Sequence, residues 1–382
     1  MSRILYIQYS NPAAYPSLEH SSHRLADEGW DVLFLESGAM GVETLRFASS
    51  ERIAFHRMAY AAGGWRQKLC YAAFCVQALR RFLLWRPDWV YLSDPLVCPI
   101  GLFLSFWPGS KVVYHEHDSP HKDSAGLFMQ FVLWTRQRLG PRAEIAILPN
   151  PARVELFKRE THADQTVFCV PNFPTKEEIG SSRPASDNTE VWLLYHGSLV
   201  PSRLPLLLLD ALVLTPPALK LLIVGYETIG HQGYMRHFQD QASKMGLGGR
   251  VKSLGAVPTR EELLSHARRC DIGLALMPKQ SDDVNMKFMA GASNKPFDYL
   301  ACGLALVVST IPDWEQMFVA AGYGLACDPG DPQSIAKALS WFVAHPKEMR
   351  AMGEKGRQRL LTEWNYERAF QPVLNRLKGE TS

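Results

Sequence analysis

The run Ser293-Asn294-Lys295-Pro296-Phe297-Asp298 gathers side chains suited to an anionic, hydroxyl-rich ligand. Lys295 brings a full positive charge. Asp298 offers a carboxylate with several acceptor sites. Ser293 or Asn294 can cap a helix whose first turn accommodates Pro296, and Gly303 stops it before a strand over 304–309. A helix start at the mouth of a parallel sheet presents free N–H groups and a positive dipole end to a diphosphate. Asp298 then has two readings: acceptor for ribose hydroxyls, or a first-turn acid that complements the dipole while Lys295 is solvated.

Other residues of chemical interest are more dispersed. His115 and His117 end a predicted strand, but two histidines alone do not make a metal site, and Asp282-Asp283 has no third ligand nearby. Cys70, Cys75, Cys98, Cys169, Cys270, Cys302 and Cys327 form no C-x-x-C pair and leave an odd count. They read as buried free thiols in a reducing cytoplasm. Trp65-Arg66-Gln67-Lys68 with Arg80, Arg81 and Arg86 makes a basic, aromatic stretch. It fits an amphipathic helix with snorkelling arginines, or a peripheral membrane face meeting a lipid-linked acceptor.

The elements that must position these groups alternate regularly. Strands are predicted over 3–9, 31–36, 89–92, 111–115, 144–148 and 167–170, with helices over 17–28, 65–84, 98–106 and 128–139 between them. The polar segment 175–190, with Pro184 and three serines, reads as a linker. Alternation restarts with strands over 191–195, 220–224, 251–254, 272–277 and 304–309, separated by helices over 204–213, 233–245, 259–269 and 296–301. Helices over 332–345 and 346–361 and a last helix to 377 complete the chain. The predicted fold is therefore α/β, with two Rossmann-like doubly wound domains facing a cleft. The expected division is 1–174, linker 175–190, 191–362, and a C-terminal helix within 363–382 packing back on the first domain.

Length and charge bound the function. A chain of 382 residues exceeds one ordinary core, and 47% hydrophobic with 21% charged residues describes a globular protein. A net charge of +3 argues against nucleic acid as partner. The N-terminus reads as a strand rather than a signal peptide, and the most apolar run, 96–107, is shorter than the roughly 18 residues of a spanning helix. The expected location is cytoplasmic, with peripheral contact at the inner membrane face as a further option.

Lys295-Pro296-Phe297-Asp298-Tyr299-Leu300-Ala301-Cys302-Gly303, running on to Ser309, resembles the K-x-x-E-Y-x-A-x-G segment of family-4-like, retaining GT-B glycosyltransferases (glycosyl transferases group 1 type). The resemblance implies that Asp298 binds the donor's ribose. Three further segments fit in order: His196-Gly197-Ser198-Leu199 with Arg203, Leu221 to Gly225, and Leu254 to Pro258 with Glu261-Glu262-Leu263. It implies that Gly197, Ser198 and Arg203 hold the donor diphosphate with Gly225, Ser293, Asn294 and Lys295, and that the backbone at Val257 meets the base. In the first half, Arg86-Pro87-Asp88-Trp89-Val90-Tyr91 and Val112 to Asp118 resemble the family's lead into a cleft strand, with His117 near the donor sugar and acceptor and His115 as second choice.

Two departures stand out: the family's E-x7-E pair has Ala290 at its first position and Asp at its second, and Ser10 to Tyr15 lacks a glycine pair. The implied reaction is metal-independent, retaining transfer of a hexose-type sugar from a UDP- or GDP-linked nucleotide sugar to a glycan or lipid-linked acceptor. His117, Arg203 and Lys295 would be its catalytic residues, with no cofactor. The rivals are a nucleotide-sugar 2-epimerase and a non-catalytic nucleotide-sugar-binding paralogue.

Overall fold

A computed structural model describes residues 2–61, 63–120, 126–163, 167–182 and 190–380. The first sheet contains β1 (Arg3–Gln8), β2 (Asp31–Ser37), β3 (Ile53–Met58), β4 (Trp89–Ser93), β5 (Lys111–His115), β6 (Ile145–Leu148) and β7 (Val167–Cys169), all parallel, in the order β3-β2-β1-β4-β5-β6-β7. Its strands are nearly continuous apolar runs because helices cover both faces. One face carries α1 (Pro16–Asp27); the other carries α2 (Trp65–Trp85), α3 (Cys98–Ser105), α4 (Leu127–Leu139) and α5 (Pro151–Thr161).

The second sheet repeats the winding with β8 (Val191–Leu199), β9 (Leu219–Glu227), β10 (Val251–Gly255), β11 (Ile272–Ala275), β12 (Ala305–Ser309) and β13 (Gly324–Cys327), ordered β10-β9-β8-β11-β12-β13. Around it lie α6 (Leu207–Val213), α7 (Tyr234–Lys244), α8 (Arg260–Ala267), α9 (Val284–Lys287), α10 (Lys295–Ala301), α11 (Pro312–Trp314), α12 (Pro332–Ala344) and α13 (Pro346–Thr362). Strand order reverses beside β1 in one sheet and beside β8 in the other. At such switch points the loops diverge and open a crevice beyond the carboxyl ends of the strands.

The last helix, α14 (Tyr366–Lys378), leaves the second sheet and returns to the first. Its Tyr366, Phe370, Val373, Leu374 and Leu377 are buried against Ile4, Tyr6, Leu18 and Val32. The Tyr366 hydroxyl donates to the carbonyl of Ser17, 3.2 Å away.

Several elements were not expected from the sequence, among them β3, α5, α9, α11 and β13. β3 is an edge strand whose side chains are mostly accessible, so it shows no apolar run to read. α5 is polar, and its start is set by the Asn150 side chain, which accepts from the Arg153 N–H at 2.9 Å, with Pro151 in the first turn. Of the segment read as a linker, 183–189 lies outside the described residues. The part before it is packed: Glu178 lies 3.0 Å from His20 of α1 and takes both Nε and Nη2 of Arg260 in α8. The cysteines are free, four of them buried, while Cys169 is exposed.

Candidate active site

Between the two sheets lies a cleft of about 340 Å³, within the range of small-molecule sites. On the second sheet its floor is made where β8 and β9 end. Gly197 has φ +102°, and a Cβ on Gly225 would stand 2.0 Å from the Gly197 carbonyl oxygen. Only glycine allows the two strand ends to close this tightly and keep the floor free of side chains.

Onto that floor come two cations. Lys295, from the first turn of α10, has its ammonium beside Gly197 and above the Tyr195 ring. Arg203 donates from Nη1 to Ser198 Oγ at 3.1 Å, while its Nε is buried without a partner. Among the described residues no carboxylate pairs with either. Burial lowers the Lys295 pKa to about 7, with further repulsion from Arg203 that Asp298 only partly opposes. Two adjacent cations without a counter-ion, beside a glycine floor, form a receptor for a compact anion. Ser293, whose buried Oγ has no partner, lines the same wall.

Gly197, Ser198, Arg203, Gly225, Val257, Ser293, Asn294 and Lys295 all line the cleft, as does His117 from the other side. Asp298 is not among the lining residues. Its carboxylate, 1% exposed, accepts from Arg260 Nη2 at 2.9 Å and Asn294 Nδ2 at 3.0 Å. Arg260 of α8 and Asn294 thus hold the carboxylate at the start of its own helix. Burial still raises its pKa, against the pull of Arg260. Neither Ser293 nor Asn294 caps α10 through its side chain; the Asn294 amide is spent on Asp298. His196 Nε2 lies 3.4 Å from Asp298, but burial, reinforced by Lys295 and Arg260, depresses its pKa well below the usual imidazole value. That contact is therefore between a neutral ring and a carboxylate.

The opposing wall is the loop after β5, and it separates the two histidines. His115 is fully buried, its Nδ1 2.6 Å from the Tyr91 hydroxyl. His117 reaches the cleft, its ring lying between the tilted rings of His115 and Tyr15. Ser17 Oγ lies 3.2 Å from its Nδ1 and Ser93 Oγ 3.0 Å from its Nε2. Burial lowers its pKa to about 4, so the ring is neutral at pH 7.

Three residues missed in the sequence complete this wall. Asp94, at φ 70°, accepts the His117 N–H at 3.0 Å and fixes the loop; burial raises its pKa to about 6. Asp118 exposes its carboxylate to the cleft, with its pKa raised by burial and by Asp94. Arg153 of α5 donates from Nη1 to the His117 carbonyl at 2.7 Å and from Nη2 to the Asn285 carbonyl of α9 at 3.0 Å, tying one half of the molecule to the other. Asp118 was legible as the acid beside His117; Arg153 sits on the helix that the sequence did not reveal.

The arrangement can hold a diphosphate on one wall and a hydroxyl-bearing group on the other. Residues 177–359 match the family model of glycosyl transferases group 1. The second half of the chain is thus similar to a group 1 glycosyltransferase domain. Its fold is GT-B, shared with HepE from Anabaena, solved in complex with UDP and glucose, at a TM-score of 0.71 and 17% identity, covering 99% of this chain and 100% of that one. Sucrose-phosphate synthase from Thermosynechococcus elongatus gives 0.74 at 16% identity, covering 99% and 100%. WaaG, a glycosyltransferase involved in lipopolysaccharide biosynthesis, gives 0.69 at 13%, covering 98% and 100%. No curated protein sequence matches the chain significantly.

Proposed function

We propose that this glycosyltransferase moves a hexose-type sugar from a UDP- or GDP-linked nucleotide sugar to a glycan or lipid-linked acceptor, with retained anomeric configuration and without a metal ion or cofactor. The observation that carries the reading is the Arg203–Lys295 pair, two cations with no carboxylate partner over the Gly197–Gly225 floor. In this reaction the bond from the anomeric carbon to the diphosphate oxygen breaks while the acceptor oxygen bonds to that carbon. The departing diphosphate takes the electron pair. Arg203 and Lys295 would stabilise the charge that develops on that diphosphate. HepE, bound to UDP and glucose in the same fold, supports a donor of this type.

The loop after β5 serves the other reactant. Both His117 nitrogens face serine hydroxyls and its ring is neutral, so the residue shapes the wall and orders the loop rather than carrying charge. The Asp118 carboxylate, free of hydrogen-bonding side chains in the described structure, is the acceptor available to an incoming hydroxyl. Closure over the cleft, held by Arg153, limits competition from water.

Incubation with a panel of UDP-, GDP- and dTDP-sugars tests the reading. Slow release of free nucleotide, accelerated by Asp118-dependent acceptors, is expected. Formation of an epimeric nucleotide sugar would identify an epimerase, and saturable binding without turnover would identify a non-catalytic paralogue.

A further inference from the structure

On the first sheet, α2, α3 and α4 cover the face opposite α1 and α14, and nothing among the described residues covers them in turn. Their inward residues, Phe74, Ala78, Phe82, Ile100 and Leu104 among them, satisfy the core. Their outward residues are not the polar set that such helices normally present. On α4 the outward stripe at helical spacing is Leu127, Phe131 and Trp134, with Leu127 84% exposed and Trp134 47%. α2 presents Trp65, Leu69 and Val76, with Trp65 66% exposed, and Phe103 of α3 and Phe106 just after it are exposed too. Ring contacts join them: Phe82 meets Trp107, and Tyr71 meets Phe128 at 5.0 Å.

The charges on this face are equally one-sided. The whole chain is nearly balanced, with 41 basic and 38 acidic residues, yet α2, α3 and α4 contain no Asp or Glu. Arg136 is internal, paired with Glu116 and Glu160; Arg66, Lys68, Arg80 and Arg138 face outward. Several cations sit over the exposed rings, Arg66 on Trp65, Arg138 on Trp134, and Arg142 on Phe106 at 3.9 Å. Aromatic rings with an apolar body, flanked by arginines that can reach outward, match the interface of a bilayer whose headgroups are anionic. No helix among the described residues is long and apolar enough to cross a membrane, so such a contact lies in the plane of the surface.

We infer that the α2–α3–α4 face docks on an anionic lipid surface, with the rings of Trp65, Phe106, Phe131 and Trp134 at headgroup depth and the arginines on lipid phosphates. The Tyr9–Tyr71–Phe128 contacts run from the residue after β1 to the start of α4, and the same loop after β1 goes on to line the cleft at Ala13, Ala14 and Tyr15. This deepens the lipid-linked branch of the proposed function, since an acceptor held in the bilayer would enter from that side.

Co-sedimentation of the full chain with vesicles tests the inference and needs no donor, so it is independent of whether sugar transfer is observed. Binding to phosphatidylcholine vesicles containing about three parts in ten phosphatidylglycerol should exceed binding to pure phosphatidylcholine by roughly tenfold or more, and fall with salt. Phe131→Ser/Trp134→Ser and Arg66→Glu/Arg138→Glu variants should lose that binding while keeping Tm and nucleotide affinity, which reports correct folding. A wild-type chain that stays in the supernatant at low salt overturns the inference, as do variants that bind like wild type. So does a dimer in sedimentation equilibrium that Trp134→Ser dissociates, which would make the face a contact between copies.

Discussion

Lys295 is a site residue whose chemistry is strongly altered by its surroundings. Its folded pKa of about 7 lies below the ordinary lysine value, so at pH 8 the free protein holds it mostly neutral. A nucleoside diphosphate restores the charge by supplying the missing anion. Binding should therefore take up about one proton at pH 8, and affinity should be level below pH 7 and fall as pH rises above it. Calorimetry in buffers of different ionisation enthalpy measures this uptake, which Lys295→Ala should abolish. Lys295→Ala and Arg203→Ala should each weaken the nucleotide by roughly 1.5–3 kcal/mol, the range for hydrogen bonds to charged groups. Equal affinity and no proton uptake in wild type would remove both from the diphosphate. Asp298 makes the opposite case. Because its carboxylate is held by Arg260 and Asn294, Asp298→Asn should lower Tm and weaken UDP and 2′,3′-dideoxy-UDP alike. A loss confined to the ribonucleotide would put the carboxylate back on the ribose.

Among the elements, α5 and α9 have the clearest assignable task, because neither belongs to a sheet yet they meet across the cleft. Arg153 from α5 holds the His117 carbonyl and the Asn285 carbonyl together, and the Asn285 side chain exchanges hydrogen bonds with the Ser119 backbone at 2.7 and 2.9 Å. The guanidinium thus sets the spacing of the two walls and touches neither cation of the diphosphate wall. Arg153→Ala should lower kcat about tenfold to a hundredfold, by misplacing the loop after β5, and leave the Kd for free nucleotide within about threefold. A parallel loss of kcat and nucleotide affinity would make Arg153 part of donor binding instead.

At the scale of the whole molecule, α14 decides how firmly the chain's end is anchored. Phe370 is fully buried between the first sheet and the helix, stacked on Tyr366 at 5.3 Å. Phe370→Ala should cost about 3–5 kcal/mol, read as a lower urea midpoint with an unchanged slope for the unit containing β1 to β7. A cost under about 1 kcal/mol would mean that the helix is dispensable to that core. In the earlier segment that crosses between the sheets, Glu178 pairs with Arg260 and lies near His20, joining that segment to both halves. Burial pushes the Glu178 carboxyl up, but Arg260 and His20 more than offset this and hold it well below the ordinary range. Stability from this group is present above the usual glutamate pKa and is lost only as pH falls below it.

The alternation of β-rich runs with helical periods determined the winding without any tertiary information, because a strand covered on both faces must be apolar throughout. Gly197, Gly225 and Arg203 were named through the family resemblance and Lys295 through its place at a helix start, and all four line the crevice. β3 and α5 escaped because an edge strand and a polar surface helix carry little periodic signal, and Arg153 and the first-half partners of the cleft went with them. Asp298 was read correctly as an acid at the start of α10, but which cation its carboxylate meets depends on Arg260, 38 positions earlier in the chain. Likewise the choice between His115 and His117 rests on which ring Tyr91 and β4 bury. Local sequence chooses elements and their ends. Contacts between residues far apart in sequence decide which of the groups at those ends remain free for a ligand.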